Sequence, residues 1–426
     1  MSTSKKTRHD VLVAGGGPAG MAAALFAARS GAQVALIEPN EKLGKKLYIT
    51  GKGRCNLTNM ADLTQTLQNI PHNPRFLHAA LAAFDASALR GLMDELGVPT
   101  KVERGGRVFP ESEKASDVTR ALERGLRQEG VEIFLNQGVR AVRAEQGRVV
   151  GADTSSGAFL PCGAMVLATG GASYPATGST GAGYALAKAL GHAVHPPKPA
   201  LVPLRSPAAW THDLQGLSLR NVRLIARLQD KPLFDELGEL LFTHFGLSGP
   251  LVLTLSSHLA DADFGRLQVF IDLKPGLTEE QLHQRLLRMF SENPRKRWSS
   301  LLPELLPSSL AAQFSALCGL DPEKPAHQIT KEERGRIVDT LKALPVPISG
   351  PGSLEEAIIT RGGVETKELA PRTLASRKVE GLFFAGELID VDALTGGFNL
   401  QIAFSTGVCA GKAAAAYALA QGDAPR

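Results

Sequence analysis

The sequence contains few cysteines and few aromatic residues. Its four cysteines, Cys55, Cys162, Cys318 and Cys409, lie far apart and form no C-x-x-C motif. We therefore expect neither a disulfide framework nor a zinc site, and no other metal site. Aromatic residues make up only 5% of the chain and the lysines and arginines are scattered. A nucleic-acid partner is for this reason not expected either.

Long apolar runs are also missing. No unbroken stretch reaches the roughly 18 apolar residues that span a bilayer, and the alanine-rich segment 413–420 is short and follows Lys412. The first ten residues, MSTSKKTRHD, are basic and have no apolar centre, unlike a secretory signal. These features predict a protein without membrane association, and the sparse cysteines predict a cytoplasmic location.

The remaining composition is that of an ordinary globular protein. The chain has 426 residues, 43% of them hydrophobic and 21% charged, with a net charge of +5. This length is sufficient for two or three domains with large cores. The composition does not predict an oligomeric state.

The first forty residues predict a strand, a tight turn, a helix and a second strand. Residues 10–14 (DVLVA) form a short buried strand, Pro18 to Ser30 an alanine-rich helix, and residues 33–38 (QVALIE) the next strand. The turn, Gly15 to Gly20, has the spacing G-x-G-x-x-G that binds the pyrophosphate of a dinucleotide in this context.

Each conserved type of residue in such a turn has a physical role. Gly15 permits the tight turn, Gly17 lets the backbone approach the pyrophosphate, and Gly20 lets helix and strand pack closely. Glu38, at the end of the second strand, is placed to accept hydrogen bonds from the adenosine ribose, and its charge disfavours NADP at this site.

The rest of the chain predicts a discontinuous α/β domain. Helical patterns at 73–97 and 116–130 precede strands at 131–135, 139–144, 149–153, 159–160 and 164–169, and a strand at 381–386 and a helix at 401–419 end the chain. We predict four segments: a first part of the dinucleotide-binding domain (1–195), an inserted β-rich domain (196–275), an inserted helical domain (276–345) and the C-terminal part of the dinucleotide-binding domain (346–426).

Late motifs favour FAD over NAD as the bound dinucleotide. VLATGG (166–171) and GLFFAGELIDVD (381–392) are typical of a two-part FAD domain, and Glu387 is the candidate to contact the ribityl chain. Residues 395–401 (TGGFNLQ) begin the last helix, where backbone N–H groups favour negative charge on a flavin ring. An ordinary strand–turn–helix corner is the alternative for each motif taken alone.

These motifs together resemble the YhiN/BaiN-like family of bacterial NAD(P)/FAD-dependent flavoproteins. The resemblance covers the whole chain, and its most specific blocks are GRCNLTN (53–59) and GGFNLQ (396–401). It implies a Rossmann-type FAD-binding domain of the two-dinucleotide-binding-domain type, with an inserted β-barrel-like and helical region. Lys52 and Phe398 depart from the family, which commonly has Gly and Tyr at these positions.

The resemblance also implies which residues hold FAD. The ADP half is assigned to the glycine turn and Glu38, the flavin half to the loop around residue 54 and to the C-terminal motif, and the adenine to the backbone at residue 139. The complete set is Gly15, Gly17, Pro18, Ala19, Gly20, Glu38, Thr50, Gly51, Arg54, Cys55, Asn56, Val139, Thr169, Gly170, Gly386, Glu387, Asp392, Gly397, Asn399, Leu400 and Gln401.

Candidates for the chemistry itself are fewer. His244 and Arg361 lie in loop-like segments and are candidates to donate a proton or bind an anionic substrate. Cys55 follows Arg54, whose charge would lower the thiol pKa, so a redox thiol and a packed side chain are both open. The element 177–192 is similar to one in fumarate reductase-type flavoproteins, a hint of chemistry on an activated C=C bond, although a glycine-rich loop before a helix explains it equally.

We therefore expect an FAD-dependent oxidoreductase that passes hydride from flavin N5 to a small or medium organic substrate, with an activated C=C bond as one candidate. NAD(P)H is the expected electron donor. No second G-x-G-x-x-G turn within its own βαβ unit is present, so the donor would use the same flavin. An FAD-dependent RNA-modifying enzyme and a flavin-binding redox sensor without turnover stay open as alternatives.

Overall fold

A computed structural model describes residues 8–422. The chain divides into two compact units. We call the residues up to 200 together with those from 354 onwards the discontinuous unit, and residues 201–353 the inserted unit.

The first part of the discontinuous unit alternates strands and helices. Its elements are β1 (His9–Ala14), α1 (Pro18–Arg29), β2 (Val34–Ile37), β3 (Thr58–Asn59), α2 (Leu63–Gln68), α3 (Pro74–Ala83), α4 (Ala86–Glu95), β4 (Thr100–Val102), β5 (Arg107–Pro110), α5 (Ala115–Gln128), β6 (Glu132–Phe134), β7 (Val139–Glu145), β8 (Arg148–Thr154), β9 (Phe159–Leu167), α6 (Ala182–Ala189) and β10 (Val194–Ala200).

The inserted unit begins with strands and ends mainly with helices. Its elements are β11 (Leu204–Arg205), α7 (Ala209–Asp213), β12 (Ser218–Leu228), β13 (Lys231–Thr243), β14 (Gly246–Ser248), α8 (Pro250–His258), β15 (Leu267–Asp272), α9 (Glu279–Glu292), α10 (Trp298–Leu301), α11 (Ser308–Leu317), α12 (Lys331–Lys342), β16 (Leu344–Pro345) and β17 (Gly350–Pro351). The discontinuous unit then resumes with β18 (Ile359–Val364), β19 (Leu382–Phe384) and α13 (Phe398–Gly422).

A largely parallel sheet forms the centre of the discontinuous unit. Strand β1 lies between β2 and β9 and is parallel to both, β6 extends the sheet beyond β2, and β19 pairs in parallel with β9. Residues 11–14 of β1 are fully buried, which explains their uninterrupted apolar sequence, since helices cover both faces of such a sheet. The Rossmann-type fold predicted from the sequence is confirmed.

Strand β9 corrects one detail of the prediction. Residues 159–160 and 164–169 were predicted as two strands, but they belong to a single strand that changes partner along its length. Residues 159–161 pair antiparallel with β8, and residues 162–167 pair in parallel with β1. Pro161 lies where the partner changes, so its missing N–H does not interrupt the parallel ladder.

Helix α13 packs directly on α1. A Cβ at Gly407 would collide with the carbonyl oxygen of Ala19, and one at Gly411 with that of Ala23. Residues four apart on one helix meet residues four apart on the other in the same order, so the two helices run parallel at close approach. Glycine is required at both contacts because no side chain fits between the backbones.

The apolar character of α13 follows from this packing. The helix is long and apolar enough to cross a membrane by length and composition, yet 61% of its apolar window is buried within the protein. The helix contains no unbroken apolar run of about 18 residues, because polar residues such as Gln401 and Lys412 interrupt it.

The inserted unit has an antiparallel sheet with the strand order β16-β15-β12-β13-β14-β11-β17. Its helices and strands share one hydrophobic core, which extends in sequence from Leu204 to Ile348 and includes the fully buried Trp298 and Phe314. The strand-rich and helical segments that the sequence distinguishes are thus packed around a common interior.

Candidate functional site

The turn between β1 and α1 has the geometry of a phosphate-binding turn. Gly15 has a φ of +102°, and a Cβ there would collide with the carbonyl oxygen of Ala168. A Cβ at Gly20 would collide with the carbonyl oxygen of Gly15. At Gly17 the opposite holds, because no described atom lies within 4 Å of the position its Cβ would take. The space before the N-terminus of α1 is therefore open to a ligand.

The same turn is fastened to Glu38. The Gly16 N–H donates to Glu38 Oε2 at 2.6 Å, and the backbone N–H and the side-chain amide of Asn40 donate to Oε1 at 2.9 and 2.6 Å. Glu38 is buried. The Gln137 N–H donates to the Glu38 carbonyl at 3.0 Å, which brings the start of β7 at Val139 next to this acid. Glu38, the turn and Val139 thus lie together, as an adenosine site requires.

Asn40 was missed by the sequence reasoning, although its position two residues after Glu38 is a local signal that could have indicated it. Its side-chain amide also donates to the carbonyl oxygen of Thr177 at 3.2 Å. The element 177–192 therefore lies beside the Glu38–Asn40 segment. The start of this element is thus next to the predicted ADP half.

Thr169 and Gly170 follow β9 directly, next to the glycine turn. Thr169 Oγ1 is buried without a hydrogen-bond partner among the described residues, and Gly170 adopts a φ of +74°. Such an orphaned hydroxyl is unfavourable unless a further group binds it. Gly386, just after β19, donates its N–H to Thr406 Oγ1 at 2.9 Å and packs on Ala19.

The N-terminus of α13 projects beyond the glycine turn. Phe398 begins the helix nine residues before Gly407, which touches Ala19 in the first turn of α1. At about 1.5 Å per residue the helix therefore extends roughly 13 Å past that contact. A dinucleotide whose pyrophosphate binds at the glycine turn would pass along this projecting segment.

Asn399 and Gln401 use their side chains inside the protein. Asn399 accepts from the Ala393 N–H at 2.9 Å and donates to the Ala393 carbonyl at 2.7 Å. Gln401 accepts from Thr58 Oγ1 at 2.5 Å and donates to the Phe84 carbonyl at 2.8 Å. At this end of α13 the groups left for a ligand are the backbone N–H groups of the first turn. Leu400, also in this turn, is half-buried.

Gly397 and Glu387, both predicted to contact the flavin half, have different environments. Gly397, at the head of α13, is pressed against the backbone of Thr58. Glu387 accepts from Lys46 Nζ at 2.8 Å, from Ser173 Oγ at 3.2 Å and from the Thr360 N–H at 2.7 Å. Its carboxylate thus connects several chain segments. The sequence did not indicate Lys46 and Ser173 as partners of Glu387, because they are distant from it in the chain.

The loop from Thr50 to Asn56 carries several predicted flavin contacts. Gly51 and Lys52 both adopt left-handed backbone, with φ values of 56° and 58°. Left-handed backbone of this kind favours glycine, and Lys52 adopts it although it carries a Cβ. Asn56 Oδ1 is buried without a partner among residues 8–422, so it is available to a ligand.

The surroundings of Arg54 and Cys55 contradict one of the two alternatives given above for Cys55, the redox thiol. Arg54 Nη2 binds Glu103 at 2.5 Å and Glu113 at 2.9 Å, and its guanidinium lies over the ring of Phe109. Cys55 is fully buried, and burial raises the pKa of its thiol to about 12. The idea that Arg54 activates Cys55 as a redox thiol is therefore wrong, because the arginine charge is neutralised by carboxylates and the thiol is desolvated.

A cluster of charged side chains lies between β18 and the segment that leads into α13. Arg361, in β18, approaches His72 Nδ1 with Nη2 at 3.3 Å, and His72 Nε2 approaches Asp390 Oδ2 at 2.8 Å. Asp392 is 1% exposed, and its nearest cation is Arg361, with Nε at 3.9 Å from Oδ1. We call His72, Arg361, Asp390 and Asp392 the His72 cluster. The sequence reasoning did not indicate His72.

The cluster shifts the pKa values of its members. The hydrogen bond to Asp390 raises the pKa of His72. Burial raises the pKa of Asp392 to about 6, against the opposing effect of Arg361. Neither oxygen of Asp392 has a hydrogen-bond partner among the described residues. The cluster can therefore hold and release protons near neutral pH.

His244, the other catalytic candidate, belongs to the inserted unit. It is exposed in the tight connection between β13 and β14, with its ring 4.8 Å from that of Phe245. Its role stays a prediction, as does that of Arg361.

The residues of the discontinuous unit fit an FAD molecule. The open space before α1, the orphaned Thr169 and Asn56 oxygens and the projecting N-terminus of α13 all lie on one unit. Backbone N–H groups at two helix N-termini provide donors for a pyrophosphate and for a flavin ring.

Two curated proteins are similar to this chain over nearly its whole length. A 3-dehydro-bile acid delta(4,6)-reductase of Clostridium scindens is 33% identical over 408 residues, which cover 95% of this chain and 98% of that protein. A ribosomal RNA dihydrouridine synthase of Escherichia coli is 31% identical over 402 residues, covering 94% and 96% of the two chains.

Among solved structures, a 3-ketosteroid-delta4-(5alpha)-dehydrogenase of Rhodococcus jostii matches with a TM-score of 0.53 and 17% identity, covering 97% of this chain and 98% of that one. This likeness shows a shared fold. The model of the family described as HI0933-like protein Rossmann domain matches residues 9–413. The chain therefore belongs to the HI0933-like family of Rossmann-domain proteins.

Proposed function

We propose that the protein is an FAD-dependent oxidoreductase that reduces a carbon–carbon double bond conjugated to a carbonyl group. The observation that carries this proposal is the packing of α13 on α1, which places the glycine turn and the N-terminus of the last helix on one side of one unit. Reduced FAD, when bound, supplies the hydride.

The residues of the chain would hold and orient the cofactor. The N–H groups before α1 would bind the pyrophosphate, and Glu38 with the backbone near Val139 would bind the adenosine. Asn56 Oδ1, Thr169 Oγ1 and the first N–H groups of α13 would bind along the rest of the molecule. The N–H groups of α13 favour negative charge on a flavin ring because they lie at the positive end of a helix dipole.

The two relatives support the type of substrate. One is named for a 3-dehydro compound with double bonds at positions 4 and 6, and the other for dihydrouridine. A 3-dehydro group is a ketone conjugated to those double bonds, and dihydrouridine is uridine whose ring double bond, also conjugated to a carbonyl, has gained two hydrogens. Reduction of an unsaturated carbonyl compound is what the two names share.

We propose NAD(P)H as the electron donor. The sequence contains one glycine turn of the dinucleotide type within a βαβ unit, and Glu38, at the end of the second strand of that unit, is suited to the adenosine of FAD. A nicotinamide cofactor would then approach the same flavin that later meets the substrate. The two would react in alternation.

A uridine in ribosomal RNA is the second candidate substrate. The relatives named ribosomal RNA dihydrouridine synthase, at 31% and 30% identity, favour it. The net charge of +5 is compatible with a polyanion. A small unsaturated ketone is our first choice, because the relative that is named for one has the highest identity of these three.

The proposal is tested with the purified protein. We expect a yellow protein that releases FAD on denaturation, and whose visible flavin band is lost on anaerobic addition of NADH or NADPH. The reduced protein is then mixed with a 3-oxo-Δ4,6 bile acid or with unmodified ribosomal RNA transcribed in vitro. Return of the flavin band, together with a product heavier by two hydrogens, identifies the substrate.

Three results would contradict parts of the proposal. A colourless protein that does not take up FAD would show that FAD is not the cofactor. A flavin that neither nicotinamide reduces would favour a sensor or another donor. A flavin that is reduced but is not reoxidised by either substrate would contradict the proposal that unsaturated carbonyl compounds are the substrates.

A further inference from the structure

The His72 cluster lies next to the segment that leads into α13. The backbones of His72 and Asp392 form a bridge, and the Leu394 N–H donates to the Asn69 carbonyl at 2.8 Å. Asn73 adds a side-chain hydrogen bond to the Asp390 carbonyl at 2.7 Å. His72 is thus held against residues 390–394, just before the helix N-terminus that we assign to the flavin.

Reduction of an unsaturated carbonyl compound needs a proton as well as a hydride. Hydride adds to the β-carbon, and the electron pair of the C=C bond moves to form an enolate. The α-carbon of that enolate must then take one proton, which gives the saturated product. An acid near the flavin that is protonated at neutral pH is therefore required.

We infer that His72 is this acid: it delivers a proton from Nδ1 to the α-carbon of the substrate, with Asp390 as the residue that positions its ring. This inference rests on the proposed function. Nε2 is occupied by Asp390 at 2.8 Å, whereas Nδ1 faces away from that carboxylate and has Arg361 Nη2 at 3.3 Å. The His72 side chain is 30% exposed, so water can return the proton after each turnover.

Arg361 favours transfer of the proton away from His72. When His72 is an imidazolium, both nitrogens carry hydrogens and Nδ1 cannot accept from Arg361. When His72 has given up the proton, Nδ1 accepts the hydrogen bond from Arg361 Nη2 that the structure shows at 3.3 Å. The neutral state left after protonation of the substrate is therefore stabilised, and atoms and charge balance with one proton taken from water.

The charged groups around His72 favour its protonated form before the transfer. Asp390 and Asp392 face it from the segment before α13 and raise its pKa, whereas burial and Arg361 of β18 lower it, and the net shift is upward. His195 of β10 lies 3.9 Å from Asp390 Oδ2 and is bound by Glu365 at 3.1 Å. These groups all belong to the discontinuous unit.

The first test does not involve turnover. Histidine-labelled, FAD-free protein is titrated by NMR, with His72→Asn used to assign the resonance. We expect the pKa of His72 to lie above the ordinary value of a histidine side chain and to fall in Asp390→Asn, because the hydrogen bond to Asp390 raises it. A His72 pKa that is the same in wild type and Asp390→Asn would overturn the inference.

The second test follows reoxidation of the reduced holoenzyme by cyclohex-2-en-1-one and, separately, by ferricyanide, which requires no protonation of carbon. We expect His72→Asn to slow the reaction with the enone by roughly 10²- to 10⁴-fold, with the ferricyanide rate unchanged. The control His78→Asn makes the same substitution at an exposed site and should leave both rates unchanged.

The pH dependence separates a proton donor from a structural residue. In the wild type the enone rate should fall as the pH rises through the pKa of His72, and in His72→Asn this dependence should be absent. Equal enone rates in wild type and His72→Asn would overturn the inference and leave the proposed function intact. A wild-type enzyme that is reduced by NAD(P)H but reacts with neither the enone nor the substrates named above would overturn both.

Discussion

Valine at position 17 should separate binding of the pyrophosphate from folding of the turn. Gly17 has φ −74° and ψ −179°, ordinary values for a residue with a Cβ, and no described atom lies within 4 Å of its Cβ position. We therefore expect Gly17→Val to change the free energy of unfolding of the FAD-free protein by no more than about 0.5 kcal/mol.

The effect on FAD should be much larger. The valine methyls would fill the space in front of the first N–H groups of α1, so the pyrophosphate would lose its hydrogen bonds to them. Each hydrogen bond to a charged group contributes about 1.5–3 kcal/mol. The loss of two of them weakens binding by about 3–6 kcal/mol, or roughly 10²- to 10⁴-fold.

The assay combines the flavin absorbance of the purified protein, a fluorescence titration of the FAD-free protein with FAD, and its thermal unfolding. Gly91→Val is the matched control, because Gly91 is exposed on α4 and its Cβ position is equally open. Full FAD occupancy in Gly17→Val would show that the phosphates bind elsewhere. Loss of FAD accompanied by an equal loss of stability would show that the turn itself depends on Gly17.

Three further predictions concern packing, protonation and reactivity. Gly411→Ala should destabilise the FAD-free protein by about 1–3 kcal/mol, because its Cβ would collide with the Ala23 carbonyl. The control Gly335→Ala, where the Cβ position on α12 is open, should stabilise the protein by up to about 1 kcal/mol. Urea unfolding measures both changes. Burial raises the pKa of Asp392 from 3.8 to about 6, so the folded state binds the proton more tightly than the unfolded chain and wild-type stability falls as the pH rises between these values. Asp392→Asn should therefore be more stable than wild type at pH 8, by up to about 3 kcal/mol, with little difference at pH 4; an equal difference at both values would contradict this. Because burial raises the pKa of the Cys55 thiol to about 12, this thiol should react with a thiol reagent at pH 8 only after the protein unfolds, as followed by peptide mass spectrometry.

The sequence predicted best those parts of the site whose residues are close in the chain. The strand, glycine turn and helix at the start follow from local spacing, and Glu38 acts on the backbone of Gly16, 22 positions away in the same βαβ unit. The sequence predicted that the C-terminal segment belongs to the same domain as the first strand, but not the path of α13 across α1. The close contact of Gly407 with Ala19 depends on packing that a single sequence does not display.

Long-range polar partners could not be predicted. His72 and Asp390 are separated by 318 positions, and Lys46 and Glu387 by 341. A lone histidine before a proline-initiated helix has no local signature, since its partners decide its protonation. Arg54 illustrates the opposite error, because its sequence neighbour Cys55 suggested a role that carboxylates from another part of the chain remove.

The parallel contact between α1 and α13 also constrains synthesis of the protein. Helix α1 is complete at residue 29, but the surface that covers it begins only at residue 398. At roughly 5–20 residues per second, translation needs on the order of 20–70 s to produce the intervening chain. During this interval the alanine-rich face of α1 has no native partner. A nascent chain that stalls before the last helix would therefore expose this face to chaperones and proteases, whatever the state of the segments in between.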